Sequence, residues 1–268
     1  MPIENNPLEL KDIERPVAGS EELLVKVTVC GICHTDLHTV EGDITPPELP
    51  ITPGHQVVGE IAEVGDRVSG WSVGERVGIP WLFSADGTCE FCKRGEENLC
   101  PNAEFTGFHR DGGYAEYMLA DPDYALKIPT GIGDIEAAPL LCAGIIGYRS
   151  LRQANLKRGD KLGLVGFGAS AHLAIQVALH WGCEVYVFTR SEGHRNLARE
   201  LGASWVGAVE DDQPAELDCA VIFAPAGHLV PKILAKLRPA GTLAINAIYM
   251  TAIPEFSYDL IYEERTLR

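Results

Sequence analysis

Asp86, Cys89, Cys92 and Cys100 fall within one short stretch, and their types and spacing suit them to hold a metal ion. Thiolates this close in a loop can close around one tetrahedral ion, and a carboxylate is an acceptable fourth ligand. The alternative is a set of reduced loop cysteines. A solvent-facing loop has no packing reason to collect three thiols, which favours the metal. Cys33, His55 and Cys142 are also metal-ligand types, but each alone has an ordinary explanation. Cys142 stands in the apolar run Leu140-Leu141-Cys142-Ala143 and could be a core thiol. His55, in Pro53-Gly54-His55, could be bonded within a turn. Spacing cannot unite residues so far apart.

A second kind of chemistry is suggested by Lys161-Leu-Gly-Leu-Val-Gly166-Phe-Gly168-Ala-Ser-Ala171, where Gly166 and Gly168 stand between an apolar strand and a helix. Glycine lets the backbone approach a pyrophosphate, whose charge is favoured at a helix N-terminus. Ala171 occupies the third position of that fingerprint. An ordinary tight turn would use the same glycines, but the strand–turn–helix context favours a dinucleotide. The next strand ends Val187-Phe188-Thr189-Arg190 without the carboxylate that holds a ribose diol in NAD sites. Thr189 and Arg190 suit a 2′-phosphate, which points to NADPH, although Arg190 could equally be a solvated residue.

The elements that must position these residues differ between the two halves. Up to about residue 130, short β-branched runs (23–29, 57–64 and 76–79) are punctuated by Gly and Pro. That spacing predicts a partly closed β-barrel. The second half alternates strands at 161–165, 184–188, 205–206, 218–223 and 242–247 with helices at 169–181, 192–201 and 229–237. This rhythm predicts a parallel sheet covered by helices on both faces. The expected domains are 1–135 and 136–268, with the boundary in the segment 132–149.

Composition narrows the function. The 268 residues are 46% hydrophobic and 22% charged, as expected of a globular chain. A net charge of −16 repels phosphate backbones, so nucleic acid is not an expected partner. No apolar run is long enough to span a bilayer, and the opening residues carry no secretory signal, so the cytoplasm is the expected compartment. The eight cysteines then read as metal ligands or reduced thiols rather than disulfides.

Taken in order, the motifs resemble those of the zinc-containing medium-chain alcohol dehydrogenases. They are Cys33-His34-Thr35-Asp36-Leu37-His38, Pro53-Gly54-His55, the Cys89/Cys92/Cys100 loop, Gly112-Gly113-Tyr114-Ala115-Glu116, Leu140-Leu141-Cys142-Ala143-Gly144 and the Gly166/Gly168 turn. The resemblance implies a GroES-like, partly closed β-barrel domain followed by a Rossmann doubly wound parallel sheet. It implies a catalytic zinc on Cys33, His55 and Cys142, and a structural zinc in the 86–100 loop. Zinc would act as a Lewis acid on the oxygen of a small-molecule alcohol or aldehyde, with hydride passing to or from NADP or NAD. Thr35 would take the alcohol proton and relay it through the cofactor ribose to His38. Asp36 would fix the His55 ring, and His34 would lie near the cofactor phosphates. Trp81 and Ile44 would line the substrate pocket, with room for medium-length or aromatic primary alcohols.

The chain departs from the family pattern in three places. Asp86 replaces a cysteine, which weakens the expected structural site. Gln56 replaces a glutamate after His55, removing a negative charge near the zinc. Both ends stop short of the family's usual extent, so the sequence reads as a fragment. A homo-oligomer is left open for the full-length form. Two competing readings follow: an NADPH-dependent aldehyde reductase of the same family, and a shortened zinc-binding form without turnover.

Overall fold

The computed structural model describes residues 8–268. The opening residues, read above for a secretory signal, lie partly outside that range. The chain divides into two compact units, Met1–Cys142 and Ala143–Arg268. Among the described residues no helix is long and apolar enough to cross a membrane.

The first unit is built on β1 (Leu23–Gly31), α1 (His34–Glu41), β2 (Gln56–Val64), β3 (Arg76–Ile79) and β4 (Leu82–Ser84). It continues through β5 (Glu104–Phe105), β6 (Tyr117–Ala120), β7 (Leu126–Lys127) and α2 (Asp134–Ala137). Five strands form one antiparallel sheet in the order β6-β1-β2-β3-β7, and β4 pairs with β5 apart from it. Successive side chains of a strand point to opposite faces. Leu23, Val25, Val57, Ile61, Val77, Ile79 and Met118 accordingly form one core. Val58, one residue on from Val57, packs on the other face against Ala137, Ala138 and Leu141.

The second unit runs α3 (Ala143–Gln153), β8 (Lys161–Val165), α4 (Ala169–His180), β9 (Glu184–Phe188), α5 (Glu192–Glu200), β10 (Trp205–Gly207) and β11 (Leu217–Ile222). It ends with α6 (Leu229–Leu234), β12 (Leu237–Ile245), α7 (Asp259–Tyr262) and β13 (Thr266–Leu267). Its strands are parallel, in the order β10-β9-β8-β11-β12-β13. Leu162, Leu164, Val185, Val187 and Val221 face α4, while Tyr186, Phe188, Ala220, Ile222 and Leu243 face α6. A sheet buried on both faces needs nearly continuous apolar strands, and these have them. The order reverses beside β8, where open parallel sheets bind ligands at the strand C-termini.

Most boundaries fall within a residue or two of the sequence expectation, and the largest difference is at the junction of α6 and β12. The helix expected at 229–237 stops at Leu234, and the strand expected at 242 begins at Leu237. The side chain of Leu237 is fully buried and the residue pairs with Leu217, so the sheet claims it for the core. The backbone bends next at Arg238-Pro239-Ala240, where Ala240 has φ 61°. That interruption concealed the early start of the strand.

Candidate active site

Strand register explains why the separated residues meet. In the β1–β2 ladder Gly31 lies opposite Gln56. The residues just beyond that end, Cys33 after β1 and His55 before β2, therefore come together. In the β2–β3 ladder Val57 faces Ile79, so the chain beyond β3 brings Trp81 to the same end. Leu141 packs its methyl groups over Gly78, in space that a Cβ on that glycine would fill, and this delivers Cys142. The donor atoms of Cys33, His55 and Cys142 all lie within 4.8 Å of one another.

Asp36 organises the group. One of its oxygens accepts the Cys33 N–H at 2.9 Å, closing a capping box at the start of α1. The other accepts the Gly54 N–H at 3.2 Å and lies 3.1 Å from His55 Nδ1. His55 Nε2 is thereby directed at Cys33 Sγ, 3.2 Å away. Tyr114 covers Gly54, whose φ of 97° and 2.5 Å clearance to the ring leave no place for a side chain.

The protonation of these groups is strongly linked. The Cys142 thiol donates to Cys33 and, against the cost of burial, holds it down to about 4, with His55 adding to the effect. Cys142 is pushed well above the usual thiol range by that same bond and by burial. Burial pushes His55 down, yet Asp36 and Cys33 outweigh it and hold the ring at about 9. Two sulfurs and an imidazole are ligand types that suit zinc. Cys30, beside it, is pushed up to about 12 by burial and stays a neutral thiol.

The second cluster is local. Donor atoms of Asp86, Cys89, Cys92 and Cys100 also lie within 4.8 Å of one another. Backbone N–H groups point at its sulfurs, Cys92 N at Cys89 Sγ and Asn102 N at Cys100 Sγ, both at 3.4 Å. Asp86 Oδ1 accepts the N–H groups of Thr88 and Cys89 at 2.8 Å, and Oδ2 accepts the Asn102 amide at 2.9 Å. These bonds, that of Cys89 first, hold the carboxylate far below its usual range. An ionised aspartate and three clustered thiols fit a metal ion.

Other expected residues fall as follows. Thr35 and His38 lie on α1, with His34 at its first position and its ring 5.4 Å from that of His38. Trp81 stands edge-on to His55 at 4.8 Å and stacks on Phe105 at 5.0 Å. The Thr106 hydroxyl fixes the backbone there by donating to Pro80 O at 2.8 Å. Ile44 is half-buried in the turn after α1. In the second unit, Gly166 has φ 83° and lies against the Ala224 backbone, 3.0 Å from where a Cβ would stand. Gly168 begins α4, and nothing lies within 4 Å of its missing Cβ. Packing therefore does not demand that glycine. Ala171, on α4, is fully buried in the core, Thr189 is buried just after β9, and Arg190 is exposed.

Residues 19–130 match the alcohol dehydrogenase GroES-like domain, and residues 171–268 match the zinc-binding dehydrogenase model. The chain is 46% identical to the "Probable alcohol dehydrogenase AdhA" of Mycobacterium tuberculosis (strain CDC 1551 / Oshkosh), over 100% of this chain and 79% of that protein. The chain belongs to the zinc-containing medium-chain alcohol dehydrogenases. An alcohol dehydrogenase of Geobacillus stearothermophilus is 38% identical, over 95% of this chain and 78% of its own length. Among solved structures, a cinnamyl alcohol dehydrogenase (SbCAD4) of Sorghum bicolor matches with a TM-score of 0.88 and 31% identity, covering 95% of this chain and 77% of that one. The Helicobacter pylori CAD complexed with NADP(H) matches with a TM-score of 0.88 and 27% identity, covering 98% of this chain and 80% of that one. This dehydrogenase is an oxidoreductase acting on alcohols with a nicotinamide cofactor.

Sequence reasoning missed three neighbours of the site. Phe105 and Phe108 pack about Trp81, and Asp43 pairs with His38. Asp43 carried a signal, a carboxylate just past the glycine that ends α1. The aromatic pair carried none, because β5 and the turn after it meet Trp81 only through tertiary pairing.

Proposed function

We propose that this dehydrogenase interconverts primary alcohols and aldehydes, aromatic ones among them, with zinc held by Cys33, His55 and Cys142 and NADP(H) as the preferred cofactor. The observation that carries this reading is the convergence of two thiols and one imidazole, with Asp36 behind the histidine. A site of three protein ligands leaves a position for substrate. When bound, the metal supplies a Lewis acid for the substrate oxygen, and the nicotinamide supplies or accepts the hydride.

The chain's own residues do the rest. Asp36 fixes the His55 ring so that Nε2 faces the metal position. Thr35 takes the alcohol proton at its hydroxyl oxygen, and His38, near the surface, passes a proton to water. Trp81, immobilised by Phe105, offers a flat wall beside His55, which favours a planar substrate. Gly166 and Gly168 leave the head of α4 bare for the pyrophosphate, and the small Ala171 lets α4 pack close to the sheet. Thr189 and Arg190 receive the 2′-phosphate, and the absence of a carboxylate after β9 favours NADPH and the reductive direction. Asp86, Cys89, Cys92 and Cys100 hold a second, structural zinc.

Elemental analysis paired with NADPH and NADH oxidation on benzaldehyde tests the reading. About two zinc ions per chain with faster NADPH turnover is the expected result. A metal-free protein that still turned over would remove the central claim, and equal kcat/KM for both cofactors would remove the NADPH preference.

A further inference from the structure

The turn that ends α1 carries a carboxylate back onto the proposed proton relay. Gly42 closes the helix with φ 84°, and both Gly42 N and Ile44 N donate to the His38 carbonyl, at 3.0 and 3.3 Å. The Gly42 bond is the usual closure of a helix by a left-handed residue, and the Ile44 bond draws the following residues back over the last turn. It folds Asp43 over the side chain of the same histidine. Asp43 Oδ2 lies 2.7 Å from His38 Nδ1, with the histidine side chain 12% exposed and the aspartate 39%. The His34 ring also faces His38, at 5.4 Å.

A carboxylate can only accept, so the hydrogen of this contact belongs to Nδ1. The bond made by one ring nitrogen decides which nitrogen exchanges protons. We propose that Asp43 is a positioning residue: by holding Nδ1–H of His38, it keeps Nε2 as the atom that takes up and releases the relayed proton. On each turnover Nε2 gains a proton while Nδ1 keeps its own, and the imidazolium then returns the Nε2 proton to water. Asp43 only accepts the Nδ1 hydrogen and takes no part in the transfer. Its task is to select the tautomer, limit ring rotation and stabilise the transient cation. The inference rests on the reading of His38 as the relay's outer member.

The test compares Asp43→Asn, Asp43→Glu and His38→Gln in the full chain, oxidising benzyl alcohol with NADP. It is combined with ¹⁵N NMR of the His38 ring, which needs no turnover. The wild-type spectrum should show the neutral ring protonated at Nδ1, and Asp43→Asn should mix the tautomers. His38→Gln should lower kcat about tenfold or more and be rescued by added imidazole. Asp43→Asn should lower kcat by about fivefold with KM for alcohol within about twofold, and Asp43→Glu should regain part of the loss. An Nε2-protonated wild-type ring, or Asp43→Asn with unchanged kcat and spectrum, would overturn the inference and leave the relay standing. His38→Gln at the wild-type rate would overturn the relay itself.

Discussion

The Asp86 cluster takes all its donors from one loop, whereas Cys33, His55 and Cys142 come from a helix cap, a turn before β2 and a turn after α2. In the loop, amides a few residues away hold the sulfurs and the carboxylate, so the site forms from its own chain. In the other cluster each donor is placed by a different tertiary feature: the Asp36 capping box, the Gly54 turn and the seat of Leu141 over Gly78. A local site can stabilise the fold without touching the chemistry. A site assembled by register reports on the whole unit, and its geometry is what substrate meets. The comparison therefore predicts that damage to one cluster appears as lost activity and damage to the other as lost stability.

Cys142→Ser should have the largest effect, lowering alcohol oxidation by about 10³-fold or more, because the Lewis acid supplies several kcal/mol. Elemental analysis should show that the loop ion stays. Asp36→Asn should come next, weakening zinc at the His55 cluster by about 10- to 100-fold in a chelator competition. A variant that bound zinc with wild-type affinity would mean that the cap and the ladder orient His55 unaided. Cys89→Ser should leave kcat within about twofold and lower Tm by on the order of 5 °C, since a structural ion contributes folding energy. If it instead removed activity as fully as Cys142→Ser, the two clusters would not be separable and the comparison would break. Asp86→Cys should be smallest, slowing zinc loss to a chelator by about threefold, because a softer donor suits the ion but gives up the bonds to Thr88 and Cys89.

How legible the site was follows the same division. The 86–100 loop could be read from spacing alone, because its donors are close in sequence. The strand at Lys161–Val165, the glycine turn after it and the helix from Ala169 were equally plain, since an apolar strand buried on both faces is written in consecutive residues. The start of β12 was not, because Arg238, Pro239 and Ala240 interrupt the pattern while Leu237 is drawn into the core by Leu217. Cys33, His55 and Cys142 were joined through family motifs and not through any spacing.

By itself, the sequence determined the two fold classes, the clustering of Asp86 and three thiols in one loop, the bare glycine turn and the missing carboxylate after β9. All of these are consequences of short-range stereochemistry, periodicity and side-chain type. Only the tertiary structure decided that Gly31 faces Gln56, that Trp81 comes edge-on to His55 with Phe105 behind it, and that Asp43 folds back onto His38. Those contacts depend on strand register and on how a helix closes, and a shift of one residue in either would turn the side chains away from one another.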